Sequence, residues 1–393
     1  MAADREPLMP RDLRTAATLM EEWIRGEALP LWATAGFDAE AGRFEEALTF
    51  GCRPRPDVSI RLLVQARQIF VYSLAQRRRW HPGAAALAER AFGSMRRDYC
   101  RRNGRDGWVF SIARDGTVAD STRDLYAHAF VLLAIAAHVQ ATGMRAELAL
   151  AHETLAFLDR EMTAPLGGGY AEAWPPRDTP RRQNPHMHLF EALLALWECS
   201  GDCAFLARAN DLFQLFASKF FQAGQGVLLE YFDDALQPPR GSGAIVEPGH
   251  HFEWCWLLRR YERHTGDSRV GEIVERLYQH ANSAGFDADG LIMDELRPDG
   301  TILKASRRLW PMTEAIKSDL VEARRGRTGA AARAAALTQA LHGRFLAPAP
   351  KGGWVDRLGP DGSPSVGFMP ATSLYHLAGA VDELTGFRAD TPG

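Results

Sequence analysis

The 393-residue sequence predicts an all-α toroid of six helical hairpins with short β-hairpin arms at its mouth, and three observations carry that prediction. The first is a repeat. Strand-like patterns led by a glycine start at Gly36, Gly107, Gly169, Gly226, Gly290 and Gly353, spaced 71, 62, 57, 64 and 63 residues apart. The second is an alternation of connections. Tight turns (RWHPG, ATGM, CSGD, HTGD and RGRTG) carry the glycine that a helix C-terminus favours, and they alternate with the long Gly-led arms. The third is composition. YAHAFVLLAIAAHV and MHLFEALLALWE are apolar far round the helix, as an inner ring requires, whereas ALAERAFGSMRRDY and RAAALTQALHGRF read as an amphipathic outer layer. No such hairpin buries its apolar face alone, so residues 1–393 are expected to form one domain by stacking neighbours.

Taken in order, apolar residues at i, i+3, i+4 and i+7 together with stop signals place helices near 11–25, 57–79, 84–101, 121–142, 145–161, 184–200, 203–221, 247–265, 268–283, 306–324, 328–345 and 368–386. Every second helix, beginning with 57–79, belongs to the inner ring. Long arms before these helices and short turns after them put all six arms, and the N-terminal turns of all six inner helices, at one end.

A hydrophobic content of 46% and a net charge of −3 are ordinary for a globular protein and give no reason to expect nucleic acid or a membrane surface as partner. The five cysteines (Cys52, Cys100, Cys199, Cys203 and Cys255) lack CxxC spacing and point to a reducing compartment. The N-terminal MAADREPLMPRD has no apolar signal core, and no run of 18 apolar residues predicts a membrane span, so the expected location is cytoplasmic. The expected assembly is a monomer or homodimer.

Residues able to do chemistry gather in the first turns of the inner helices. Arg67 lies in an apolar run beside Ile69, Phe70 and Val71, so it requires either an internal carboxylate or a ligand oxygen. His188 and Glu191 share a helix face at i, i+3, while His186 points elsewhere. EPGHHFEWCWLL repeats the pairing with His250 and Glu253. A carboxylate beside an imidazole sets its tautomer and basicity for proton transfer, and His251 turns away. Trp254 and Trp256 are expected as flat walls suited to the CH face of a sugar ring. Trp310 and Glu314 lie four apart on one face, and His376 stands one turn after Thr372. HExxH, zinc-type Cys/His spacing and phosphate loops are absent, so neither metal nor other cofactor is expected.

VQARQIFVYS, NPHMHLFEALLALWE, PGHHFEWCWLL, RLWPMTEAIK and SLYHL, in that order from about Ile60 to Leu377, resemble the N-acylglucosamine 2-epimerase superfamily. That resemblance implies an (α/α)6 barrel. It implies acid/base histidines at His250 and His376, a supporting His188, and carboxylates at Glu253 and Glu314 that orient and tune them. It also implies sugar-binding Arg67, a second substrate arginine at Arg240, and Trp310 as the wall against the sugar. The motifs are most similar to the mannose isomerase branch, which implies a monosaccharide substrate and a cofactor-free interconversion of mannose and fructose through a cis-enediolate. Three other readings stay open. One is 2-epimerisation of an N-acylglucosamine or cellobiose. Another is isomerisation of mannose 6-phosphate, with Arg181 and Arg182 available to a phosphate. The third is a carbohydrate-binding or glycoside-hydrolysing toroid, disfavoured because the inner helices offer histidines in place of an isolated carboxylate pair.

Overall fold

The computed structural model describes residues 11–177, 180–239 and 243–390. The helices are α1 (Arg11–Trp23), α2 (Leu29–Thr34), α3 (Leu62–Arg78), α4 (Ala84–Tyr99), α5 (Leu125–Thr142), α6 (Leu148–Phe157), α7 (Gln183–Ser200), α8 (Cys203–Leu215), α9 (Pro248–Thr265), α10 (Arg269–Ala284), α11 (Leu309–Arg324), α12 (Ala330–Leu341) and α13 (Ser373–Asp390). Helices α3, α5, α7, α9, α11 and α13 each touch the next, and α13 returns to α3, which closes the inner ring. Helices α4, α6, α8, α10 and α12 back onto α3, α5, α7, α9 and α11, and α1 completes the outer layer against α12 and α13. The protein is thus an (α/α)6 barrel. α5 is long and apolar enough to cross a membrane by composition, but its side chains are buried between α3 and α7.

Short strands tie the arms into a ring of their own. The two residues before an inner helix pair with the following arm: Ile60–Arg61 with Ser111–Ile112, Arg123–Asp124 with Ala173–Trp174, Arg181–Arg182 with Tyr231–Phe232, and Arg307–Arg308 with Arg357–Leu358. Val246 bridges Leu296 in the same way, and Phe368–Pro370 pairs back with Ala47–Thr49, joining the last arm to the first. This explains why α3, α5, α11 and α13 begin a few residues later than hydrophobic periodicity predicts. Their apolar pattern continues into residues whose backbone groups are taken by a neighbouring arm.

Two glycines show why the arms begin with that residue. Gly107 and Gly169 have φ of +75° and +66°, and a Cβ there would stand 2.8 Å from Phe157 and 2.7 Å from the Nε2 of His186. Only a residue without a side chain allows both the left-handed turn and the close approach.

The tie between arm and helix is also repeated. Gln65 Oε1 accepts the amide of Phe44 at 2.8 Å, His128 Nε2 that of Trp108 at 3.1 Å, His186 Nε2 that of Tyr170 at 3.0 Å, and His251 Nε2 that of Leu228 at 3.0 Å. Each side chain is the fourth residue of its helix. His186 and His251, expected to point away from the chemistry, clamp the arms.

Candidate active site

The site is assembled where arms meet inner helices. Glu46, Glu172, Glu230, Asp294 and Asp356 occupy corresponding positions, just before or at the start of the paired strand of each arm. Three of them make the same two contacts. Glu46 accepts from the backbone N and Nε of Arg61, Glu172 from those of Arg182, and Asp294 from those of Arg308. In the fourth arm the following helix offers a histidine, and Glu230 Oε2 accepts from His250 Nδ1 at 2.9 Å and from Gln183 Nε2 at 3.0 Å.

Three buried imidazoles face carboxylates through Nδ1: His188 on Glu191 (3.0 Å), His250 on Glu230 (2.9 Å) and His376 on Glu314 (2.8 Å). An ionised carboxylate only accepts, so each Nδ1 carries the hydrogen and the opposite nitrogen, Nε2, is left for chemistry. Glu191 also accepts from Tyr375 Oη at 2.6 Å. Glu314 is paired with the ammonium of Lys317 at 2.6 Å.

His250 and His376 both pack on the Trp310 indole, with ring centroids 4.8 and 5.6 Å away. Their surroundings push them in opposite directions. Burial would lower the pKa of His250, but Glu230 and Glu247 overrule it and raise it to about 9. Burial, with Arg67 and Lys317 nearby, holds His376 well below the ordinary imidazole value. Burial likewise brings His188 down to about 4. A charged imidazole and a neutral one therefore share one aromatic wall at neutral pH.

Among the described residues, Arg67 meets no carboxylate. It donates to Tyr126 Oη at 2.7 Å and to the carbonyl of Thr372 at 3.2 Å, and its guanidinium lies over the Phe130 ring at 4.1 Å and the Tyr375 ring at 5.0 Å. Its Nε is buried without a partner. Glu253 is fully buried and, among the described residues, neither of its oxygens has a hydrogen-bond partner. Burial, reinforced by Glu314, raises its pKa well above the carboxylate range.

Several expectations need correction. Glu253 was expected to hold His250 because the two share a helix face. The arm carboxylate Glu230 reaches Nδ1 instead, and Glu253 Oε1 lies 3.9 Å from His188 Nε2. Trp254 is no sugar wall: it is 1% exposed, stacked on Phe216 at 4.0 Å, with its N–H on Gln183. Trp256 sits deeper, under the Lys317 ammonium at 3.8 Å, and donates to Glu383. Arg181 is spent on the carbonyls of Leu166, Gly168, Tyr170 and Asp234, and Arg182 on Glu172. Arg240 lies outside the described residues.

Glu230 was missed by single-helix reasoning, although FEEAL, YAEAW, LLEYF, IMDEL and WVDRL align an acid in five arms and would have exposed it. Tyr126, Tyr375 and Lys317 left no sequence signal beyond their place on inner helices. As for metal, the donor atoms in each of the sets His188/Glu191/Glu253, Glu230/Glu247/His250 and Glu253/Glu314/His376 lie within 4.8 Å of one another. These sets have the donors to hold an ion. In each, the approach of the histidine to a carboxylate is a hydrogen bond or a close polar contact that needs no ion.

Carboxylate-held histidines at the mouth of an (α/α)6 barrel are suited to proton transfer on a bound substrate. The chain belongs to the N-acylglucosamine 2-epimerase family, whose sequence profile matches residues 42–380. It is 35% identical over 390 residues to a mannose-6-phosphate isomerase of Rhizobium meliloti (strain 1021), covering 96% of this chain and 98% of that protein. It is 30% identical to a D-mannose isomerase of Thermobifida fusca, over 79% of this chain and 80% of the relative. In fold it superposes on cellobiose 2-epimerase from Spirochaeta thermophila DSM 6192 with a TM-score of 0.85 at 24% identity, covering 96% and 98% of the two chains.

Proposed function

We propose that the chain is a cofactor-independent aldose–ketose isomerase of the cytoplasm, a single catalytic domain that interconverts D-mannose and D-fructose. The observation that carries this reading is the opposite tuning of His250 and His376 against Trp310. Groups whose environments drive their pKa values apart divide into acid and base. His250, charged at neutral pH, gives its Nε2 proton to the ring oxygen as the pyranose opens, takes up the proton that O1 releases, and then relays a proton from O2 to O1 across the enediolate. His376, neutral with Nε2 free, takes the proton from C2 and returns it to C1 along one face of a cis-enediolate. Proton transfer of this kind contributes roughly 10²–10⁴-fold per group. Arg67 stabilises the negative charge on the enediolate oxygens in a site shielded from water. Protonated Glu253 donates to a sugar hydroxyl, with His188 supporting it, and Trp310 covers one face of the sugar.

The isomerase of phosphorylated mannose is the second reading, favoured by the relative of that name matched along nearly the whole chain. The arginines weigh against it. Arg61, Arg182 and Arg308 are each paired with a carboxylate, which leaves Arg67 as the site arginine without one among the described residues. Epimerisation would start from the same enediolate but needs a proton delivered to the opposite face of C2. The test is incubation with mannose, mannose 6-phosphate, N-acetylglucosamine and cellobiose in D₂O, followed by NMR of the products. Fructose from mannose is expected. A C2 epimer without ketose, or turnover of the phosphate ester alone, sinks the primary reading.

A further inference from the structure

Beneath the site, on the side of the ring away from the arms, lies a cavity of about 450 Å³ whose walls include Glu191, Trp256, Lys317, Tyr375 and Gly379. Lys317 stands between the two. It is 2% exposed, its ammonium is 2.6 Å from Glu314 Oε2, and it lies 3.8 Å over the Trp256 ring. Glu314 in turn accepts from His376 Nδ1 at 2.8 Å with its other oxygen. On the cavity side, Gly379 leaves room: a Cβ there would be 3.8 Å from Lys317 Cδ and 4.0 Å from Nζ.

We infer that Lys317 is a positioning residue for His376, keeping Glu314 an acceptor so that the imidazole presents an unprotonated Nε2, and that the lower cavity lets small cations reach this position without passing the sugar. This rests on the assignment of His376 as the base. The argument is one of protons. Glu314 is fully buried, burial raises its pKa, and Lys317 is the largest influence opposing that rise; a buried carboxylate takes up a proton unless a cation opposes it. A protonated Glu314 would donate to Nδ1, moving the ring hydrogen to Nε2 and abolishing the base with no atom displaced. The charges facing the cluster and its lower cavity are mixed: Arg67 and Arg77 on α3, His188, Glu191 and Glu198 on α7, His250, Glu253, Arg260, Arg263 and His264 on α9, and Asp382 and Glu383 on α13. Among these, Lys317 is the cation in contact with Glu314.

The experiment uses Lys317→Met, Lys317→Arg and Lys317→Ala. Lys317→Met is expected to lower kcat for mannose by about 10²–10³-fold with KM within about threefold, the size of a lost general base. Its activity should return only at higher pH, as Glu314 ionises. Lys317→Arg should recover much of the rate. Lys317→Ala should be rescued at least tenfold by ethylammonium at tens of millimolar, and not by sodium at equal ionic strength. Independently of any turnover, ¹⁵N NMR of His376, assigned by its loss in His376→Asn, should show a hydrogen on Nδ1 in the parent and on Nε2 in Lys317→Met. An unchanged tautomer overturns the positioning role even if the sugar assignment is correct. Inactivity of the parent on every sugar, with the tautomer switch present, overturns the sugar assignment alone. Equal rates of Lys317→Ala with and without ethylammonium overturn the cation access.

Discussion

Two sets of buried histidines, one turn of helix apart at most, do opposite work in this barrel. His128, His186 and His251 spend Nε2 on the amides of Trp108, Tyr170 and Leu228, and so lock arm to helix. His188, His250 and His376 put Nδ1 on a carboxylate and, among the described residues, make no hydrogen bond through Nε2. His250 and His251 are neighbours in sequence, and about 100° of helical rotation separates a proton carrier from a structural clamp. What makes an imidazole available for catalysis here is whether its second nitrogen is already committed to the backbone. Burial does not separate the sets, since both are almost completely enclosed.

The sharpest break in this comparison is substitution across it. His376→Asn and His250→Asn should each reduce kcat by about 10³–10⁴-fold while the melting temperature stays within a few degrees. His251→Asn should leave kcat within about tenfold. Steady-state kinetics on variants shown to be folded, with deuterium exchange at C2 of mannose, decide this. If His376→Asn still exchanges the C2 hydrogen at the parent rate, the base is misassigned.

Next in size is Glu230→Gln, expected to cost about 10²-fold in kcat by removing the charge that holds His250 near a pKa of about 9. As the acid, His250 must be protonated, so parent activity should fall as pH rises through about 9, and in the variant that fall should come at lower pH. The linked stability has the same sign. A histidine whose pKa rises on folding stabilises fully below its unfolded value near ~6.5, and that contribution is lost as pH rises towards about 9. The parent should lose melting temperature across this window more steeply than Glu230→Gln.

On the clamp side, His251→Ala leaves the buried Leu228 amide unpaired and should cost about 1–3 kcal/mol of stability by denaturant unfolding, with kcat little changed. His251→Gln should restore much of it, because Gln65 already holds the Phe44 amide in the first hairpin. The smallest effect is acid sensitivity. Burial lowers His128 and His186 to about 4 and His251 to about 3. Groups depressed by folding contribute stability above ~6.5 that is lost progressively as pH falls towards the folded values. Thermal melts from pH 7 to 4 should show the decline, and it should flatten in His186→Gln.

Much of this was legible before any coordinates. The spacing of six glycine-led arms and the alternation of apolar and amphipathic helices lead directly to a closed ring, because a hairpin with an unburied apolar face has to find neighbours. His188 with Glu191 was readable because i, i+3 contact is a property of one helix. The same rule failed for His250. It identifies a shared face without identifying what packs against that face, and Glu230 arrives from an arm 20 residues away. Trp254 and Trp256 failed likewise, since helical periodicity does not tell the depth of a ring along the barrel axis.

By itself, then, the sequence determined what is local and periodic: the number of hairpins, the order of inner and outer helices, and the clustering of histidines in the first turns of the inner ring. Only the tertiary structure decided the pairing of His376 with Glu314 across 62 residues, the hydrogen bond of Arg67 to Tyr126, and the opposite tuning of two imidazoles on Trp310. The reason is physical. Helix formation follows from neighbours three and four residues away, whereas the protonation of a buried group follows from every charge within a few ångströms, and those charges come from segments that meet only when the ring closes.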